Sequence, residues 1–136
     1  MKKYLLLLLI LSACNNHKLV VIDGDTYIIN GRHIRLLGVD CPELNQQYGH
    51  EAKMHVWQLL KNSEIRVDRI KKDNHGRWLS HVYFNGTPLD STIVVNGWGW
   101  ADTYNHINEG LMNFARIKQL GLWEHNAIEP YKFRRR

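Results

Sequence analysis

Residues 26–43 read TYIINGRHIRLLGVDCPE. This stretch holds a β-branched run, a two-residue turn, a return run and a proline stop. Residues 26–29 form the first run, and Asn30-Gly31 is a turn pair typical of a two-residue β-hairpin. Residues 33–39 are the expected return strand, in which Arg35, Leu37 and Val39 share a face by the period of two. Pro42 then ends the strand. The end of this hairpin carries Arg35, Asp40 and Glu43, so the segment that shapes the sheet also concentrates charge.

Working outward, residues 18–22 are a preceding β-branched run, joined through Asp23-Gly24-Asp25. Residues 50–62 place Ala52, Val56, Leu59 and Leu60 on one helical face. Residues 64–70 and 78–84 read as two further strands, joined around Asn74-His75-Gly76, and Asn85-Gly86 is another turn. A short helix over 89–96 is stopped by Gly97. Asn108 can cap a last helix running to about residue 120, with Gly121 at its end. Five strands with a helix after the third predict a small closed barrel, an OB-fold packed with three α-helices. An open α+β sheet is the alternative that the order leaves open.

The chain has 136 residues, enough for one domain with one core. Its 44% apolar content excludes a disordered chain. The net charge is +5 and the pI about 9.3, which favours polyanions or an anionic membrane without separating them. Residues 1–13 have a signal-peptide pattern: Lys2-Lys3, then a leucine-rich run shorter than the ~20 residues that span a bilayer. Leu11-Ser12-Ala13-Cys14 resembles a bacterial lipobox, which implies cleavage before Cys14 and lipidation of that cysteine. An ordinary signal peptide cut nearby, giving a secreted protein, is the alternative. Loss of Lys2 and Lys3 would leave sixteen basic residues against thirteen acidic, a net +3. The expected organisation is therefore a signal peptide at 1–13, a short tether at 14–17 and one domain at 18–136. With Cys14 acylated, Cys41 has no disulfide partner, and no cysteine set for zinc exists.

The charged groups divide into candidates and decoys. Asp25 is either a turn residue or a hard-cation ligand. Its turn is no EF-hand, because the twelfth position from Asp23 is Ile34. Asp40 and the Cys41 backbone carbonyl can coordinate Ca²⁺, which prefers oxygen, and Glu43 can deprotonate a water. A solvated acidic loop is the plainer reading. Arg35 lies between apolar neighbours and needs an anionic partner, either a structural carboxylate or a phosphate. Arg77 follows Gly76 at a strand start and can add a second planar cation. His50 and His55 are five residues apart, which puts them on different helix faces and excludes the metalloprotease pattern. Trp98, Trp100 and Tyr104 suit packing, with one of them free to stack a base.

These residues resemble the staphylococcal nuclease family. The resemblance rests on Val21-Ile22-Asp23-Gly24-Asp25-Thr26, on the run from Arg35 to Glu43, on Tyr48-Gly49-His50-Glu51-Ala52, on Asp73-Asn74-His75-Gly76-Arg77 and on Gly121-Leu122-Trp123. The family implies an OB-fold barrel with three helices and Ca²⁺-dependent hydrolysis of DNA and RNA at the 5′ P–O bond, leaving 3′-phosphate ends. It also implies that Asp25, Asp40 and the Cys41 carbonyl hold Ca²⁺, that Glu43 is the general base, and that Arg35 and Arg77 clamp the phosphate. His75 stands where a tyrosine lies near the nucleotide, and Tyr104 is the candidate for stacking on the base. A monomer anchored to a bacterial envelope membrane through Cys14 is the expected form. A nucleic-acid-binding OB-fold lipoprotein without catalysis is the alternative.

Overall fold

Strand β1 (Leu19–Val21) pairs antiparallel with β2 (Thr26–Ile29), and β2 pairs with β3 (Arg32–Leu36). The computed structural model that shows this describes residues 17–102 and 106–136. The β2–β3 turn works because Asn30 and Gly31 both take positive φ, 50° and 77°, which matches the twist of the flanking strands. The expected strand over 33–39 is split. Gly38, at φ 85°, turns the chain, and Val39–Asp40 leaves as a separate strand, β4. This strand pairs with β8 (Trp100–Ala101) in a small second sheet. The split breaks the shared face proposed for Arg35, Leu37 and Val39.

Helix α1 (Gly49–Leu60) follows, burying Ala52, Val56 and Leu60 as the 3.6 period requires. The antiparallel pair β5 (Ile65–Lys72) and β6 (Trp78–Phe84) comes next, with a bulge between Arg69 and Lys71. Short strand β7 (Thr87–Pro88) pairs with β6 and leads into α2 (Leu89–Val95). The chain closes with α3 (His106–Ile117), a 3-10 turn at Gly121–Glu124 and α4 (Pro130–Phe133).

The large sheet runs β1-β2-β3-β6-β5, with β3 and β6 parallel and β7 alongside β6. It does not close. The five-stranded OB barrel with three helices is therefore not the architecture seen: the described residues form an open mixed sheet, a two-stranded sheet and four α-helices. The end strands explain the opening. β1 has only three residues, and β5 exposes Arg66, Arg69, Lys71 and Lys72, charges that discourage edge pairing. A cleft of about 170 Å³, lined in part by Ile29, Arg32, Ile65, Val67 and Arg69, lies between the β2–β3 hairpin and β5.

Tyr27, Ile34, Leu36, Leu60, Val82 and Ile93 are among the side chains that fill the core between the sheet and the helices. Asn108 does not cap α3, which starts earlier. It lies fully buried inside the helix, where its Nδ2 donates to the Gly38 carbonyl at 2.8 Å and to Asp90 Oδ2 at 2.9 Å. Its Oδ1 accepts from the Ser91 hydroxyl at 3.0 Å. A buried amide needs such partners, and these three tie α3 to α2 and to the turn that launches β4.

Candidate active site

The turn between β1 and β2 presents Asp25. The Asp25 N–H donates to Asp23 Oδ1 at 3.0 Å, which closes the turn locally. Gly24 allows the turn to reach the β4 exit, because a Cβ there would lie 2.6 Å from Cys41 Cβ. Asp25 Oδ2 accepts the Cys41 N–H at 2.6 Å, while Oδ1 accepts the Thr26 hydroxyl at 3.2 Å and pairs with Arg35 Nη1. Burial pushes the Asp25 carboxyl up to about 7, against the pull of Arg35.

Arg35 is carried on β3, opposite Thr26. Its Nη2 also lies 3.2 Å from Asp40 Oδ1, so one guanidinium joins the two carboxylates. Burial disfavours its charge, but Asp25 and Asp40 outweigh that and hold it firmly protonated.

Glu43 is positioned by two contacts that the sequence did not signal. Its N–H donates to Gln46 Oε1 at 3.2 Å, and its carbonyl accepts the Gln46 N–H at 2.8 Å. Gln46 is itself buried, and its Nε2 donates to the Ile128 carbonyl. Gly49 must be small here, since a Cβ would lie 2.0 Å from the Glu43 carbonyl oxygen. Nothing in the amino-acid pattern marks Gln46, because its partner is 82 residues away.

Arg77 is held by Asp73, a residue to which the sequence analysis assigns no role. Asp73 Oδ1 accepts the N–H groups of His75 and Arg77, both at 2.9 Å, and Oδ2 accepts Arg77 Nε at 2.8 Å. Burial opposes ionisation of Asp73, but these bonds prevail and lower its pKa. An aspartate opening a turn is the local signal that could have found it.

Asp25, Arg35, Glu43, His75 and Arg77 line one cleft of about 300 Å³, together with Asp23, Thr26 and Arg134. Asp40 and Arg35 face an adjoining cleft that Arg134 also borders. Arg134 was not anticipated at all. Its Nη1 lies 3.1 Å from Asp40 Oδ1 and 2.8 Å from Glu43 Oε1, and its Nη2 lies 3.0 Å from Asp40 Oδ2. Cys41 is buried, and burial pushes its thiol well above the ordinary range, so it is an unreactive thiol and a poor soft-metal ligand. Tyr104 and Cys14 lie outside the described residues, as does the signal peptide expected at 1–13. Trp98 packs on His55, with ring centroids 6.0 Å apart, and Trp100 is buried edge-on to Trp123 at 5.1 Å. Both tryptophans therefore serve packing.

The donor set is chemically selective. Asp25, Asp40 and Glu43 offer carboxylate oxygens, and Arg35 brings the first two within the span of one guanidinium. Hard oxygens fit Ca²⁺ or Mg²⁺ rather than a soft ion. Among the described residues, no three His, Cys, Asp or Glu side chains cluster as a metal site, so an ion here would lean on backbone carbonyls and water.

Comparison with known proteins points to one family. The model of the staphylococcal nuclease homologue family matches residues 33–125, which include Arg35, Asp40, Glu43 and Arg77. An uncharacterised endonuclease of Haemophilus influenzae is 32% identical over 145 residues, covering 96% of this chain and 82% of its own. A micrococcal nuclease of Shigella flexneri is 31% identical over 134 residues, covering 85% of this chain and 77% of its own. A probable staphylococcal-like nuclease of rice is 27% identical over 123 residues but aligns over only 33% of its own length. With its acids and arginines gathered on one face and most of its length matched, this chain belongs to the staphylococcal nuclease family.

Proposed function

We propose that this protein is a Ca²⁺-dependent endonuclease that hydrolyses DNA and RNA at the 5′ P–O bond and leaves 3′-phosphate ends. The observation that carries this reading is the one cleft lined by Asp25, Arg35, Glu43 and Arg77 together. Asp25, Asp40 and the Cys41 carbonyl would hold the cation. When bound, Ca²⁺ supplies a Lewis acid for the phosphate oxygens.

The protein's own groups account for the rest. Arg35 and Arg77 carry permanent positive charge into the cleft, suited to a phosphorus centre whose negative charge grows during attack. Arg77 cannot swing freely, because Asp73 grips its Nε. Glu43 accepts the proton of the attacking water. The P–O5′ bond breaks, leaving a 3′-phosphate on one fragment and a 5′-hydroxyl on the other, with the leaving oxygen protonated by solvent. His75 borders the same cleft and would contact the nucleotide, and Tyr104 would stack on its base.

Export and anchoring complete the proposal. Residues 1–13 would be the signal peptide, residues 14–17 the tether and Cys14 the lipidated residue, with the domain at 18–136 acting as a monomer at the envelope. No helix among the described residues is long and apolar enough to cross a membrane.

A second reading, nucleic-acid binding without cleavage, is favoured by one observation: Arg134 engages both Asp40 and Glu43. One experiment separates the two. Purified protein is incubated with single-stranded DNA or RNA in Ca²⁺, Mg²⁺ or chelator. Cleavage in Ca²⁺, abolished by chelator and by Glu43→Gln, supports the nuclease. A gel shift without cleavage, unchanged in Glu43→Gln, supports binding alone.

A further inference from the structure

We infer that Arg134 is a displaceable internal cation, which engages Asp40 and Glu43 and must leave before a divalent ion binds there. The inference rests on the proposed metal site. Its basis is stoichiometric. Both oxygens of Asp40 face guanidinium N–H groups of Arg134, at 3.1 and 3.0 Å, and Oδ1 also faces Arg35 at 3.2 Å. Glu43 Oε1 faces Arg134 at 2.8 Å. A cation entering this carboxylate pair therefore competes with Arg134 for the same lone pairs.

The two arginines on Asp40 differ in how readily they can go. Arg35 is enclosed on β3 and bound to buried Asp25, so releasing it would strand a charge. Arg134 has a side chain 42% exposed and lies directly after the last turn of α4. Its guanidinium can rotate into water at little cost. The segment that carries it stays in place, because Pro130 is buried and Gln46 holds the Ile128 carbonyl. Gln46 thus links the Glu43 loop to the segment whose arginine covers Glu43.

The test uses the full chain and its Arg134→Gln and Arg134→Lys variants, with folding checked by circular dichroism. Calcium chloride is titrated calorimetrically into each. Arg134→Gln should bind Ca²⁺ about three- to tenfold tighter, the equivalent of one or two exposed ion pairs. Arg134→Lys, which keeps the charge without the fork, should fall between the two. In the unmodified chain, saturating Ca²⁺ should speed tryptic cleavage after Arg134, scored against a control peptide. Equal or weaker Ca²⁺ binding by Arg134→Gln overturns the inference while leaving the metal site standing. Absence of Ca²⁺ binding in all three proteins removes the metal site and the inference together. Should the glutamine variant fail to fold, Ca²⁺-independent cleavage after Arg134 in the unmodified chain overturns the inference by itself.

Discussion

The carboxylate of Asp25 accepts the backbone N–H of Cys41 at 2.6 Å, bonding the β1–β2 turn to the exit of β4. The same carboxylate pairs with Arg35 and so joins both halves of the site. Asp25→Asn should leave Arg35 without its nearest buried counter-charge. Burial of the carboxylate, which raises its pKa to about 7, works the other way, so the loss above that pH should be smaller than the ~3 kcal/mol typical of breaking a buried pair on one side. Urea unfolding followed by tryptophan fluorescence checks this. A midpoint unchanged from the parent would show that Asp40 alone satisfies Arg35.

Gly49 opens α1 with its Cα against the Glu43 carbonyl. Gly49→Ala places a methyl group 2.0 Å from that oxygen, closer than any relaxed contact. The helix start or the Glu43 loop must shift. Overpacking of this kind costs about 1–3 kcal/mol. A displaced Glu43 should lower the cleavage rate about 10²-fold, the usual penalty for a misplaced reacting group. Thermal melts and single-turnover cleavage measure the two effects separately.

Asp73 offers the converse case, a residue that matters for geometry more than for stability. Its pair with Arg77 is partly exposed, so Asp73→Asn should cost under about 1 kcal/mol in folding. The asparagine cannot accept the two backbone N–H groups and Arg77 Nε with the same strength. Arg77 then loses its fixed direction, and turnover should fall by about tenfold or more at near-normal stability. Equal loss of turnover and stability would assign Asp73 a folding role only.

His55 gives a pH signature away from the site. Burial beside Trp98 lowers its pKa below the ordinary 6.5. The unfolded chain therefore takes up the proton first as pH falls. The stabilising contribution is complete above about pH 6.5 and is lost as pH drops through the folded-state value. His55→Phe keeps an aromatic ring on Trp98 and removes the titration. Its melting temperature between pH 7.5 and 5 should fall less than that of the parent protein. Parallel curves would show that His55 is not the group responsible.

Much of the local structure was legible in the chain. Residues 26–29 and 78–84 form strands over the spans that their patterns mark. The helix expected at 50–62 is seen at Gly49–Leu60, and the one expected at 89–96 at Leu89–Val95. β-Branched runs, period and turn pairs act over a few residues, so these elements carry their own signals. Arg35, Glu43 and Arg77 each stand beside a turn or strand end, and folding brings all three to the lining of one cleft.

Sheet closure was not legible, since strand count is silent on whether a three-residue β1 can reach a charged β5. Gly38 divides one expected strand into two because a single positive φ outweighs the alternation around it. Asn108 reads as a helix cap by type, yet packing turns it into a buried tie between α3 and α2.

The amino-acid sequence by itself determined which segments are strands and helices, where they turn, and which acids and arginines stand at their ends. Those outcomes follow from backbone sterics and side-chain periodicity within about ten residues. Only the tertiary structure decided that the sheet stays open, that Gln46 ties the Glu43 loop to the Ile128 carbonyl 82 positions away, and that Arg134 covers Asp40 from 94 positions away. Contacts of that range depend on how finished elements pack, and no local pattern encodes them.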